Sequence, residues 1–139
     1  KIFSNPNSTK LFHFARFDIA VIEKYICKFD GPVYCTKIAS KLSRTFGAKH
    51  SLADLCKDLL DLELDKQRQT SDWGAETLSE AQLNYAASDV LYLHKIKNKL
   101  DTLLKRENKI DLAKQCFEFI KIRSKLDLIG FENLDIFAH

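Results

Sequence analysis

Apolar residues in the first third of the chain follow two different spacings, which predict two short strands separated by a helix. Residues 10–14 form an apolar run that is too short for a helix, and residues 33–36 form a second extended segment. Between them the apolar positions recur at helical spacing, at Ile19, Ile22, Tyr25 and Ile26, until residues 30–32 end the helix. Asp18 is therefore predicted to lie at a strand-to-helix junction, near the start of the helix.

The rest of the chain is predicted to be mostly helical. Thr36 is predicted to cap a helix over residues 37–46 that Gly47 ends, and Ser51 with Asp54 marks the start of another. The polar residues 66–74 indicate an ordered loop. Ser79 and Gln82 have the spacing of a capping box, which predicts a long helix to about Arg106. A last helix is predicted over 111–125, followed by an irregular tail, with one face formed by Leu112, Cys116, Phe119, Ile120 and Ile122.

Tyr85 and Asp89 are the first candidates for chemistry. They are four residues apart in the long predicted helix, so a phenol and a carboxylate project from the same side. A carboxylate is a ligand suited to Mg²⁺ or Mn²⁺, and a phenol one turn earlier could orient a water at that metal. The alternative is structural, with Asp89 a solvated helix acid and Tyr85 a half-buried core residue.

Composition narrows the class of protein. The 139 residues are 45% hydrophobic, which suffices for one sizeable core and predicts a single domain. No apolar run reaches membrane-spanning length and none has the form of a signal peptide, which predicts a soluble, cytoplasmic protein. The net charge of +3 permits a nucleic-acid partner without requiring one. The four cysteines and four histidines lack metal-site spacing, so a structural zinc site is not expected.

Three stretches, taken in order, resemble the ribonuclease D family of the DEDD superfamily of 3′–5′ exonucleases. Residues 13–18, His-Phe-Ala-Arg-Phe-Asp, resemble the family's second motif, usually written HNAxFD. Residues 85–89, Tyr-Ala-Ala-Ser-Asp, resemble its third motif, YxxxD, and residues 66–73 resemble a K-x-x-Q-x-S-D-W loop between the two. Asn84 stands where the other branch of the superfamily places a histidine, so the resemblance is to the tyrosine type, DEDDy.

The resemblance implies a fold, a reaction and a set of site residues. The fold would be α/β, a ribonuclease H-like exonuclease fold with a mixed sheet flanked by helices. Two divalent cations, Mg²⁺ or Mn²⁺, would be held with the help of Asp18 and Asp89, while Tyr85 would orient the attacking water. The enzyme would release nucleoside 5′-monophosphates from single-stranded RNA 3′ ends, including those of transfer-RNA precursors. Substrate contacts are predicted at His13, Phe14, Lys66 and Gln69, whereas Phe12 and Phe17 are predicted to be core.

Two alternatives remain open at this point. The same motifs are compatible with a 3′–5′ exonuclease that acts on DNA, because contacts to a 2′-hydroxyl cannot be read from the sequence. A catalytically dead module that binds nucleic acid is the other alternative. The presence of Asp18, Tyr85 and Asp89 together argues against that module, since a dead site has no chemical need for all three.

One motif of the resemblance is missing. A D-x-E pair would be expected before Lys10, and the only stretch with those letters, residues 61–63, comes too late in the order of motifs. The absence of Met and the start at Lys1 suggest an N-terminally truncated protein with a depleted, helix-dominated fold. Such a fragment is expected to be inactive by itself and prone to dimerise, although the sequence leaves the oligomeric state unknown. Residues 1–139 would form one partial exonuclease domain, with 107–139 as a helical extension packed on it.

Overall fold

The computed structural model describes residues 3–45, 49–63 and 80–138. For residues 80–91 it describes the backbone alone. Within these described ranges, seven helices and strands are followed by a π-helical turn. In chain order they are β1 (Lys10–Phe12), α1 (Ala15–Tyr25), β2 (Val33–Cys35), α2 (Thr36–Ser43), α3 (Leu52–Leu60), α4 (Glu80–Arg106), α5 (Ile110–Leu126) and the turn Asp127–Phe131.

The two strands form a parallel pair, and α1 is the crossover between them. The register places Lys10 opposite Val33 and Phe12 opposite Cys35. Because parallel strands end at the same edge of a sheet, the residues that follow β1 and β2 are brought side by side. The strand–helix–strand order predicted from the apolar spacing is confirmed, and helices dominate the described part of the chain.

The core is formed mainly by helices packed around β2. Large, fully buried side chains come from three helices, namely Ile19 of α1, Leu55 of α3, and Ile96, Leu100 and Leu104 of α4. On β2, the Tyr34 ring lies 4.6 Å from the ring of Phe117 in α5. The Tyr34 hydroxyl donates a hydrogen bond to Asp101 Oδ1 at 2.8 Å, which joins the strand to α4. These contacts make α4 and α5 part of the same core as the sheet.

The apolar faces predicted for α1 and α5 were partly wrong. Ile19 and Ile22 are buried, but Tyr25 and Ile26, at the C-terminal end of α1, are 72% and 63% exposed. In α5, Leu112 and Ile122 are 50% and 55% exposed. The buried face is instead Ala113, Phe117, Ile120 and Ser124, which includes two small residues, and the Ser124 hydroxyl contacts α1 at the Arg16 carbonyl. A prediction from large apolar residues alone misses such a face.

The helix starts and ends show which local signals were sufficient. The capping box of Ser51 and Asp54 is present at the start of α3, and α4 ends at Arg106 as predicted. Thr36, however, does not cap α2: it is the first residue of the helix and its side chain makes no cap hydrogen bond. The helix also stops at Ser43, three residues earlier than predicted. Gly47 and the capping box at Ser79 lie outside the described residues.

The tail is more helical than the predicted irregular segment. Helix α5 continues directly into the π-helical turn Asp127–Phe131, within which Gly130 has a positive φ of 106°. Glycine accepts this conformation without the steric cost that a side chain would add.

Among the described residues, none of the helices is long and apolar enough to cross a membrane.

Candidate metal and nucleic-acid site

The candidate site is built at the edge where both strands end. His13 follows β1 and Thr36 follows β2, and the strand register makes them neighbours. His13 Nδ1 and Thr36 Oγ1 share a hydrogen bond of 2.9 Å, and Thr36 Oγ1 also donates to the Phe12 carbonyl at 3.3 Å. The Thr36 side chain is therefore used to join the two strand ends, which explains why it does not cap α2.

Asp18 lies beside this edge, in the first turn of α1. Its backbone amide donates to the Phe14 carbonyl at 3.2 Å, which fixes the residue in the helix. The side chain is half-buried, and burial raises the pKa of the Asp18 carboxyl above its ordinary value. Within the part of the chain that the structure describes, no cation or hydrogen-bond donor is seen to compensate this carboxylate.

A desolvated carboxylate without a counter-charge fits a metal ligand. Taking an ionised group out of water is unfavourable unless a cation or donors replace the lost hydration. A divalent ion supplies that charge, and carboxylate oxygen is the donor that Mg²⁺ and Mn²⁺ prefer. No group of three His, Cys, Asp or Glu side chains that could hold a metal exists among the described residues, so Asp18 would need ligands from elsewhere.

The thiol of Cys35 borders the same edge but does not behave as a ligand or nucleophile. It is buried and donates to the His13 carbonyl at 3.4 Å. Burial, together with the nearby charge of Asp18, raises the pKa of the Cys35 thiol. Because the thiolate is the reactive form, a thiol held neutral has a structural role here. Cys27, Cys35 and Cys116 are free thiols.

His13 is held toward the interior. The Nε2 atom of His13 is buried and has no hydrogen-bond partner within 3.5 Å in the described part of the chain. The backbone of His50 lies nearby and raises the pKa of His13, but this effect is smaller than that of burial. Burial, followed by the positive charge of Lys37, lowers the pKa of His13 to about 4. The ring is thus neutral near pH 7 and joins β1 to β2, while a contact between His13 and a substrate stays a prediction.

The depressed pKa of His13 predicts a loss of stability in mild acid. Between pH 6.5 and about 4 the unfolded chain binds a proton at His13 that the folded chain does not, so acidification favours unfolding. We expect the native protein to lose about 1–3 kcal/mol of unfolding free energy across this window through His13. The measurement is urea denaturation at a series of pH values, comparing the native protein with His13→Asn.

His94 offers a matched control for this prediction, because it is an exposed histidine in α4. His94→Asn should retain the full pH dependence, whereas His13→Asn should flatten it. An unchanged slope in His13→Asn would contradict the burial of a neutral imidazole at the strand ends.

An aromatic and basic surface covers the outside of the strand-to-helix junction. Phe14 and Phe17 are 46% and 62% exposed, and their ring centroids lie 6.2 Å apart in an edge-to-face arrangement. Lys37 Nζ lies 4.5 Å from the centroid of the Phe14 ring. Exposed aromatic rings beside a cation are typical of surfaces on which nucleobases stack and phosphates are neutralised.

The prediction that Phe17 is core was wrong, whereas Phe12 packs against the core as predicted. Phe17 projects away from the buried side of α1 because it comes two residues after the fully buried Ala15. Lys37 was missed as a candidate. The signal that could have found it is its position directly after Thr36, at the end of the second predicted strand.

The remaining predicted site residues cannot be placed by their side chains. Lys66 and Gln69 lie outside the described residues, as do the side chains of Tyr85 and Asp89. The backbone of α4 is helical across positions 85 and 89, so the two residues are one turn apart. Helix α4 packs against α2 and α3 and contacts β1, the strand that leads to Asp18.

The chain is similar to known nucleases in both sequence and structure. The family model described as 3′-5′ exonuclease matches residues 1–105. The chain is 34% identical over 110 residues to ribonuclease D of Acidiphilium cryptum, covering 79% of this chain and 28% of that protein. It is 38% identical over 112 residues to DNA polymerase I of Aquifex aeolicus, covering 81% of this chain and 18% of the polymerase. The chain thus spans less than a third of the curated relatives it matches.

Among solved structures, the chain is similar to Brucella melitensis NrnC. The identity is 51% and the TM-score is 0.91, over 99% of this chain and 67% of the NrnC chain. This likeness and the family match confirm the predicted α/β exonuclease fold. The parallel strand ends, the desolvated Asp18 and the match to residues 1–105 agree with one another, and the chain belongs to the 3′–5′ exonuclease family of the DEDD superfamily.

Proposed function

We propose that this chain provides part of the catalytic centre of a metal-dependent enzyme that removes nucleotides one at a time from the 3′ end of single-stranded RNA. The reaction is hydrolysis of the terminal phosphodiester, with release of a nucleoside 5′-monophosphate. The observation that carries the proposal is the half-buried Asp18 carboxylate at the common edge of β1 and β2, for which the described residues supply no counter-charge. That group has an energetic need for a cation and is placed where ligands bind in parallel α/β sheets.

Asp18 and Asp89 would hold the metal ions in this proposal, and Tyr85 would orient the attacking water. Two divalent cations, when bound, would activate a water and stabilise the leaving 3′ oxygen. The structure of Brucella NrnC with bound Mg²⁺ supports divalent-metal dependence in a protein about 49% identical to this chain. Neutral His13 and Thr36 would keep the strand ends, and with them Asp18, in a fixed arrangement.

The exposed aromatic and basic surface would bind the end of the substrate. Phe14 and Phe17 present ring area to solvent beside Lys37, as stacking of unpaired bases and contact with a phosphate require. Lys66 and Gln69 are proposed as further phosphate contacts on the basis of the motif alone. A single strand suits this site, because only an unpaired terminal base is free to stack on a ring.

Brucella NrnC has also been solved bound to pGG, which supports short 5′-phosphorylated oligonucleotides as substrates for this chain. The match to a DNA polymerase I is the observation that favours the second candidate, a 3′–5′ exonuclease that acts on DNA. We favour RNA because the ribonuclease D proteins recur among the relatives. We place the activity in the cytoplasm, since the free thiols of Cys27, Cys35 and Cys116 suit a reducing compartment.

The test is a degradation assay on two proteins. One is the 139-residue chain, and the other is a chimera in which this chain is joined to the part of Brucella NrnC that it does not match. Each is incubated with Mn²⁺ and 5′-labelled pGG, a longer single-stranded RNA, or the matching DNA. We expect the chimera to shorten RNA from the 3′ end and the chain alone to be inactive, because the resemblance assigns two further carboxylates to a D-x-E motif.

The controls are Asp89→Ala in the chimera and addition of a chelator, both of which should abolish the products. Degradation of DNA at a rate equal to that of RNA would favour the second candidate. A folded chimera that binds labelled RNA but leaves it intact would overturn the proposal in favour of a binding module.

A further inference from the structure

Four side chains join the first turn of α1 to the C-terminal end of the chain. Arg16 donates from Nε and Nη2 to the two carboxylate oxygens of Asp127, at 2.7 and 2.8 Å. Ser124 Oγ donates to the Arg16 carbonyl at 2.8 Å, and Arg123 Nη2 lies 3.3 Å from Asp127 Oδ1. We call Arg16, Arg123, Ser124 and Asp127 the Arg16–Asp127 cluster.

The geometry of the cluster is specific. A guanidinium that meets a carboxylate through two parallel hydrogen bonds fixes orientation as well as distance, which a lysine cannot do. Asp127 is largely sheltered, with 16% of its side chain exposed, and Ser124 is fully buried. Arg16 also donates to the Glu132 carbonyl at 3.0 Å, so that it contacts both ends of the π-helical turn.

Arg16 and Asp18 project from opposite sides of the same helical turn. Residues two apart in an α-helix are separated by about 200° around the axis, and so they do not face each other. The cluster therefore holds the Arg16 side of the first turn of α1 against α5, and Asp18 projects from the opposite side of that turn. Fixing the rotation of α1 about its axis fixes the direction of the Asp18 carboxylate.

The anchoring residues come from a part of the chain that the exonuclease match does not cover. That match ends at residue 105, whereas Arg123, Ser124 and Asp127 come later. Helix α5 also contacts α1, α2 and β2, and Lys121 Nζ donates to the Gly31 carbonyl at 3.1 Å, just before β2. The C-terminal segment thus contacts both α1, which carries Asp18, and the start of β2.

We propose that the C-terminal segment is a working part of the metal site, in which Arg16 and Asp127 are positioning residues that set the orientation of Asp18. This inference rests on the proposed function, because it assigns the cluster a role toward the ion that Asp18 would hold. Residues 107–139 would then be needed for metal binding and would do more than pack on the exonuclease domain.

The test uses Asp127→Asn, which keeps the shape of the side chain and removes the charge that receives the Arg16 fork. Mn²⁺ binding to the chimera, and to the 139-residue chain for comparison, is followed by paramagnetic broadening of amide signals, and hydrogen exchange is measured at the amides of α1 and α3. We expect Mn²⁺ affinity to fall about 10-fold and exchange to accelerate about 10-fold in the first turns of α1 only. In the chimera, the Mn²⁺ concentration for half-maximal rate should rise by a similar factor.

The matched control is Asp58→Asn, which breaks the Arg44–Asp58 ion pair between α2 and α3 and leaves α1 untouched. It should leave Mn²⁺ affinity unchanged. Asp127→Glu, which keeps the charge, should recover most of the lost affinity. Equal Mn²⁺ affinity in Asp127→Asn and the native chain would overturn the inference while leaving the proposed function in place. An absence of Mn²⁺ binding in the native chain and chimera alike would overturn both.

Discussion

Asp18→Asn is expected to remove exonuclease activity while leaving the protein at least as stable as the native chain. In the chimera, kcat/KM on single-stranded RNA should fall about 1000-fold, which corresponds to about 4 kcal/mol of transition-state stabilisation. The amide keeps the size of the side chain but removes the negative charge that a divalent ion would require. The rate is measured from the release of labelled mononucleotides at saturating Mn²⁺.

The stability half of this prediction follows from the pKa of Asp18. Burial raises that pKa, so the ionised carboxylate is less favourable in the folded state than in the unfolded state. A neutral amide at the same position avoids that cost above the ordinary pKa of Asp. Thermal unfolding without metal should therefore show a Tm for Asp18→Asn equal to or higher than that of the native chain.

The two halves together distinguish a functional carboxylate from a structural one. If Asp18 served the fold, its replacement would lower the Tm and the activity together. Asp111→Asn is a suitable control, because Asp111 lies in the first turn of α5 and is exposed. That variant should change neither quantity appreciably. A destabilised Asp18→Asn with normal kcat/KM would contradict the proposed role of Asp18.

Leu100→Ala is expected to produce the largest loss of stability. Leu100 is fully buried in α4, and truncation of a buried leucine removes apolar contacts and leaves a cavity. We expect the free energy of unfolding to fall by about 3 kcal/mol. For a single domain of this size that is a substantial fraction of the total. Urea denaturation followed by circular dichroism measures the change.

Leu112→Ala is the matched control, with the same chemical change at a residue that is 50% exposed. It should cost less than about 1 kcal/mol, because much of its surface already contacts water. The pair also tests the packing of α5, since the apolar spacing places Leu112 on the buried face and the structure does not. Equal losses in the two variants would mean that α5 is rotated relative to the arrangement described above.

The family and the order of elements were accessible from the sequence because they depend on local patterns. The strands before His13 and Thr36 followed from short apolar runs, and the capping box at Ser51 followed from a spacing of three residues. The family followed from the resemblance of residues 13–18 and 85–89 to its motifs, and the match to residues 1–105 confirms the exonuclease family. Each of these signals is contained in a few neighbouring residues.

The tertiary structure decided which side of each element is buried and which distant residues meet. The sequence predicts that Thr36 caps a helix, but its side chain instead forms a hydrogen bond with the ring of His13, which follows the neighbouring strand. Phe17 is exposed because the buried side of α1 is the one that carries Ala15 and Ile19. On α5 the buried positions include the small residues Ala113 and Ser124, whereas Leu112 is half exposed. Which side of a helix is buried depends on what packs against it.

The pairing of Arg16 with Asp127 joins residues that are 111 positions apart in the chain. A spacing pattern within a few neighbouring residues cannot predict such a contact. The desolvation of Asp18 has the same origin, because it depends on what surrounds the side chain in space. The sequence by itself determined which groups are available for chemistry and roughly which elements carry them. Only the fold decided their solvent exposure, partners and direction, since these are set by contacts between segments far apart in the chain.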